Sequence, residues 1–276
     1  MKKTEKMLIK FIQYFLLILL SVICIIPFYI MIINSTRTNA QISVAVSFLP
    51  GTNLIQNIKS LNKTISMMVS LKNSILISLP STLLSGYFGT MAAYGFSKFR
   101  FRGSKAMFAI ALATMMIPTQ LSLLGIYQAS AKMKLLNTYW PIILPSVANT
   151  ATLFWLRQYI ESTIDDGFIE AARIDGYSEI GIFHNIIIPL SRVGLFTISI
   201  FNFVHVWNDY ISPVMFISRN AKVPLSVAIA IVKAADYQDQ GAIYAGVTIS
   251  VLPILVVYLF LNSKITGGLT AGGIKG

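Results

Sequence analysis

The sequence predicts an all-α polytopic membrane protein with six transmembrane helices, and three observations carry that prediction. Of its 276 residues, 55% are hydrophobic and only 12% charged, whereas a soluble domain carries about 25% charged residues. Its mean hydropathy is +0.70. The charge deficit falls into six windows, each reaching the roughly 20 apolar residues that a helix needs to cross a hydrocarbon core about 30 Å thick.

In order, the windows are 11–33, 73–97, 106–131, 135–156, 193–218 and 240–263. Five contain no Asp, Glu, Lys or Arg, and the fifth in order contains only Asp209. The first follows Lys2, Lys3, Lys6 and Lys10. It is too long for a signal-peptide core and no small-residue cleavage site follows it, so it is expected to remain as a span. Cys24, the single cysteine, lies within that span and reads as a small apolar packing residue. No Cys/His cluster has the spacing of a metal site. Prolines recur in or beside the spans (Pro27, Pro80, Pro118, Pro141, Pro145, Pro213 and Pro253). Each interior one removes a backbone donor and bends its helix unless neighbours compensate.

Short loops rich in Lys and Arg face the cytoplasm. Four lysines precede the first span, and Lys98, Arg100, Arg102 and Lys105 crowd the loop between the second and third. The bases of residues 34–72 are dilute, and the loop after the third span holds only Lys132 and Lys134. Both termini are therefore expected in the cytoplasm, together with the loop between the fourth and fifth spans. The net charge of +12 is explained by these flanking bases, so nucleic acid is not an expected partner.

On the outer side, residues 34–72 read as an irregular loop with a short helix. The apolar run 223–232 is too short to span and leaves two readings open, a re-entrant or capping segment and a surface-lying helix. Within the fifth window, Asn202, His205 and Asp209 are spaced i, i+3, i+7, which aligns them on one helical face over about 10 Å. Such groups either line a substrate path or fasten neighbouring helices, and the spacing alone leaves both open. Trp207 and Tyr210 read as interfacial anchors.

The cytoplasmic loop 161–189 is acidic. Glu161, Asp165, Asp166, Glu170, Asp175 and Glu179 face one base, Arg173. An acidic segment gains nothing from the anionic inner leaflet, which leaves water or a protein as its neighbour. Residues 168–175 read as a helix of about two turns, with Asp165 and Asp166 at its positive end. Gly176 is placed to stop it in a left-handed conformation, and Ser178 to cap a second helix running through Ile182, Phe183, Ile186 and Ile187 towards Pro189. Ala171 and Ala172 flatten one surface of the first helix, and Glu170 stands at its edge. A docking patch and an internal connector both fit.

Glu170-Ala171-Ala172, then Gly176, then Ile186-x-Ile188-Pro189 resembles the EAA loop of ABC importer permeases, with Ile188 where the family usually has Leu. Ala92-Ala93-Tyr94-Gly95-Phe96-Ser97-Lys98-Phe99, Phe101-Arg102-Gly103, Leu135-Leu136-Asn137-Thr138-Tyr139 and Trp207-Asn208-Asp209-Tyr210 resemble further segments of the carbohydrate-type permeases. The ending Gly268-Leu269-Thr270-Ala271-Gly272-Gly273-Ile274-Lys275-Gly276 is similar to that of the maltose-type second permease. The chain departs from the family pattern just before Glu170, where Gly167 stands at a usual Glu, and at Tyr177, where Ala is common.

The resemblance implies an ABC type I importer permease fold in the cell (inner) membrane, importing a sugar or oligosaccharide. It also implies an EAA loop, with Glu170, Ala171, Ala172, Asp175, Gly176, Ile186 and Pro189, that docks on cytoplasmic ATPase subunits. Two such subunits, holding ATP and Mg, a second homologous permease and an extracytoplasmic solute-binding protein are the implied partners besides lipid. This chain is expected to be no enzyme. Its ending comes near G-x-x-x-x-G-K-[ST], but Ile274 intervenes before Lys275 and no helix follows to hold phosphate. The remaining alternative is an ion-coupled secondary transporter or channel built on the Asn202, His205 and Asp209 stripe.

Overall fold

The computed structural model describes residues 3–236 and 238–272. Gly273–Gly276, the end of the terminal motif, lies outside the described residues. Fourteen α-helices follow one another: α1 (Lys3–Ser35), α2 (Asn39–Val44), α3 (Leu54–Thr64), α4 (Met67–Lys98), α5 (Ser104–Thr114), α6 (Thr119–Lys132), α7 (Trp140–Ile143), α8 (Thr150–Thr163), α9 (Asp166–Ile174), α10 (Glu179–Ile182), α11 (Ile188–Asn208), α12 (Ile211–Phe216), α13 (Leu225–Ala235) and α14 (Gln240–Gly272). No strand occurs among the described residues.

Among the described residues, four stretches are continuous, apolar and long enough to cross a membrane: Met7–Ser35, Met67–Lys98, Glu179–Asn208 and Gln240–Asn262. The predicted window 106–131 is instead the pair α5 and α6, bent by 97°. Pro118 sits at the break with φ −56° and ψ 128°, and a residue before proline avoids the helical region. The predicted window 135–156 is not one helix either. It holds α7, a 3-10 turn over Leu144–Ala148, and the start of α8. Pro141 and Pro145 remove backbone donors there, and Asn149 restarts the helix by accepting from the Thr152 amide at 3.0 Å. The window 193–218 is cut after Asn208, where Asp209 leaves the helix with φ −64° and ψ 122°.

The chain forms two compact units. One gathers the described residues up to Met67 together with Ala228–Val251. In it, Asn57 fastens the turn after α1, donating to the carbonyls of Ser35 (2.8 Å) and Arg37 (2.9 Å). Gly241 packs flat on Asn57, where a Cβ would lie 2.7 Å from the amide. The Asp239 carboxylate accepts from Asn39 and Ser60 and caps α14 through the Ala242 amide. The expected irregular outer loop is thus largely helical and pinned by side-chain amides.

The other unit gathers Met68–Val227 with the described residues from Leu252. Its packing rests on small residues in α4. A Cβ on Gly89 would come within 2.6 Å of Thr152, one on Gly86 within 2.9 Å of Leu195, and one on Gly194 of α11 within 2.6 Å of Tyr159. Close backbone approach of this kind is how membrane helices gain packing without a hydrophobic driving force. A core of Ala93, Tyr94, Leu156, Ile160, Ile169, Ala172, Ile182, Phe183 and Ile187 joins the C-terminal ends of α4 and α8 to α9 and α10. In α13, Leu225 and Val227 of this unit and Ala228 and Val232 of the other are buried, and every residue of the short apolar run 223–232 is buried or half-buried.

Candidate functional site: the acidic loop 161–189

The acidic loop folds as its sequence predicts, with each turn held by a named group. Asp165 caps α9 by accepting from the Gly167 amide at 2.7 Å. At the other end Gly176 takes φ +84°. The Tyr177 amide reaches the Ala172 carbonyl (3.0 Å) and the Gly176 amide the Arg173 carbonyl (3.1 Å). These two bonds are the Schellman pattern, which demands a left-handed residue at Gly176. Ser178 then caps α10 through the Gly181 amide at 3.2 Å.

Beyond α10 the backbone widens into a π-helical turn over Phe183–Ile187, where the Ile188 amide reaches back to the Phe183 carbonyl. Helical patterning does not foresee this turn. Its local cause is Pro189, which has no N–H to give and crowds the carbonyl four residues earlier.

α9 divides cleanly into two faces. Ile169 and Ala172 are buried in the core, while Phe168, Glu170, Ala171, Ile174 and Asp175 face outward. Ile174 is 86% exposed and Ile180 on α10 is 71% exposed. Ala171, Ala172, Asp175 and Ile186 line a shallow cleft of about 550 Å³ with Phe168 and Tyr177. Glu170 and Pro189 are exposed outside that cleft, and Gly176 forms the turn between the helices. An under-surface of two short helices carrying bare Phe168, Ile174, Tyr177 and Ile180 among carboxylates is suited to a protein partner, because single-chain burial leaves these side chains in water.

The site is anchored from above by residues that the sequence did not single out individually. Lys98, at the end of α4, donates to the Ile164 carbonyl and the Asp166 carboxylate, both at 2.6 Å. This hydrogen bond from the Lys98 ammonium holds the Asp166 carboxyl below the usual carboxylate range. The Tyr94 hydroxyl donates to Glu179 Oε2 at 2.7 Å, and Arg173 Nε donates to Glu179 Oε1 at 2.7 Å. The presence of Tyr94 and Lys98 in one resemblance segment, and of Arg173 as the single base of the acidic loop, was the available signal.

The stripe of the fifth window is split. Asn202 is buried and bonds to Thr152 (2.8 Å) and Ser85 (3.1 Å), tying α11 to α8 and α4. His205 is exposed. Asp209 lies past the helix end, where its carboxylate accepts from the Ser212 amide at the start of α12. Asn202 and His205 remain three residues apart on α11 but differ in burial, and Asp209 leaves their helix, which stops at Asn208.

The profile of the family described as "Binding-protein-dependent transport system inner membrane component" matches residues 85–265, which include the whole acidic loop. The chain belongs to this family. This permease is 31% identical over 204 residues to the arabinooligosaccharides transport system permease protein AraQ of Halalkalibacterium halodurans, covering 74% of this chain and 73% of that one. It is 28% identical to the lactose transport system permease protein LacG of Rhizobium radiobacter, over 96% of each chain. It is also 28% identical to the diacetylchitobiose uptake system permease protein NgcG of Streptomyces coelicolor, over 96% of this chain and 88% of that one. The fold of the permease matches a chain in the crystal structure of a bacterial ABC transporter involved in the import of the acidic polysaccharide alginate. The TM-score is 0.78 at 22% identity, covering 95% of this chain and 98% of that chain. The permease is thus an all-α inner-membrane component of a transport system and a multi-pass protein of the cell membrane.

Proposed function

We propose that this chain is the membrane-spanning permease subunit of an ATP-driven, binding-protein-dependent importer of a sugar or oligosaccharide. It pairs with a second, homologous permease and receives its solute from an extracytoplasmic binding protein. Two cytoplasmic ATPase subunits bind the ATP and Mg, and this chain performs no hydrolysis. The observation that carries the reading is the under-surface of α9 and α10. It is rigidly capped, bare of internal packing, and apolar at its centre with carboxylates at its edge. Family membership supports the assignment, as do the three relatives described above, permease proteins of arabinooligosaccharide, lactose and diacetylchitobiose systems.

In this reading α9 is the coupling helix. Its flat Ala171 surface and the cleft beside it receive the ATPase subunit, with Glu170 as a directional acceptor at the rim. Glu170→Lys leaves the capped helix intact, since position 170 is exposed, but reverses the rim charge. In proteoliposomes of the complete transporter, uptake of radiolabelled arabinotriose, lactose or diacetylchitobiose is expected to fall by about tenfold or more, as charge reversal at an interface does. ATP hydrolysis should continue in the same vesicles. Unchanged uptake per ATP would remove the coupling role from this loop.

A further inference from the structure

The coupling segment is contiguous in sequence with α8 and α11, yet its polar side-chain ties run to α4, which ends more than sixty residues earlier. Three side chains of α4 make them. Tyr87 accepts or donates no bond to its own helix here but meets His184 Nε2 at 3.1 Å. The His184 Nδ1 faces the Ile180 carbonyl at 2.9 Å. A carbonyl can only accept, so Nδ1 carries the proton and Nε2 accepts from the Tyr87 hydroxyl. Tyr94 donates to Glu179, and Lys98 grips Ile164 and Asp166. Residues 87, 94 and 98 recur on one face of a helix. Between the two tyrosines sits Phe183, 2% exposed, edge-on to Tyr87 at 5.6 Å and stacked with Tyr94 at 6.3 Å.

Both ends of α9 are therefore held by the same helix: its entry through Lys98, and its exit through Arg173, Glu179 and Tyr94. The Arg173 guanidinium also lies 5.7 Å from the Phe99 ring just past α4. The π-helical turn follows the Lys98 and Tyr94 ties and itself carries the Phe183 and His184 contacts to α4, so the widened joint between the segment and α11 is also held to α4. We infer that α4 is the lever that receives the motion of the coupling segment, and that Tyr94, Lys98 and Glu179 are positioning residues that transmit it. This inference rests on the docking of α9 proposed above and adds where the displacement goes.

The test uses the complete transporter in a Cys24→Ser background with a nitroxide attached at Leu83→Cys, an exposed position midway along α4. Spectra are compared without nucleotide and with ATP plus vanadate. Trapped nucleotide is expected to shift the nitroxide spectrum in the parent. Tyr94→Phe, Glu179→Gln and Lys98→Met should each cut the shifted component by about tenfold, the change that one hydrogen bond to a charged group commands in an equilibrium. Vanadate should still be trapped. Lys98→Arg, which keeps the donor, should restore the shift. A parent spectrum indifferent to nucleotide, or variants that respond as the parent does, would overturn the lever. Co-purification of the partner subunits confirms that each variant assembles. Glu170→Lys separates the two ideas. If it abolishes the shift while the three variants do not, docking stands and the lever fails. If it changes neither the shift nor uptake, docking itself fails.

Discussion

At the scale of single residues, Gly176 shows how a sequence can specify a turn completely. The stop after Asp175 needs a left-handed residue, and the two backbone bonds of the Schellman turn form only if it is present. Nothing lies within 4 Å of where a Cβ would stand at Gly176, so the requirement is conformational and not steric. Gly176→Val is expected to destabilise the protein by about 1–2 kcal/mol, the cost of a side chain in that region. Gly176→Asn should cost less, because Asn tolerates this conformation. The melting temperature of the purified protein in detergent measures both. Asp165, Gly176 and Ser178 were all legible from sequence because caps and stops are local chemistry. Tyr94 and Glu179 were not legible as a pair, since their bond joins positions that only the folded chain brings together.

At the scale of elements, the same residue type gave opposite outcomes. Pro27, Pro80 and Pro253 sit inside continuous helices, whereas Pro118, Pro141 and Pro145 accompany breaks. Hydropathy measures only apolar length, so it counted both kinds as spans. A row of buried hydroxyls from Ser70 to Thr90 lies along α4, and Ser78, Thr82 and Thr90 bond back to carbonyls of their own helix. The Asn202 network belongs to this scale too. Its amide is the joint of three helices, with Ser85 and Thr152 also 3.0 Å from each other. Asn202→Leu is expected to cost about 1 kcal/mol, the usual size of a polar contact between membrane helices. It should lower the melting temperature while leaving the KM for uptake unchanged. A shifted KM with an unchanged melting temperature would instead place Asn202 on the solute path.

At the scale of the whole molecule, the ties within the Met68–Val227 unit fix two opposite ends. At one, Asn73 donates to the carbonyls of Ala221 and Val223 and accepts from Tyr139, while the Asn137 amide meets the Phe216 carbonyl. At the other, Lys98 holds Ile164. The stretch of α4 from Asn73 to Lys98 separates these ends by about 38 Å. Between Lys98 and Ile164 the chain must therefore travel from one end to the other, at Asn137–Tyr139, and return. The two middle windows expected to cross are occupied by the bent pair α5–α6 and by the α7–α8 segment instead of straight spans. The apolar length of these windows was legible because it survives a kink, and their shape was not. Charge then assigns the ends, since the cluster from Lys98 to Lys105 lies at the Lys98 end. In a Cys24→Ser background, Arg102→Cys and Tyr177→Cys are expected to react with an impermeant maleimide only in inverted vesicles. Lys134→Cys should react only in intact cells. Labelling of position 134 from the same side as 102 would mean that α5 and α6 turn back within the membrane, and that the two middle segments do not cross it.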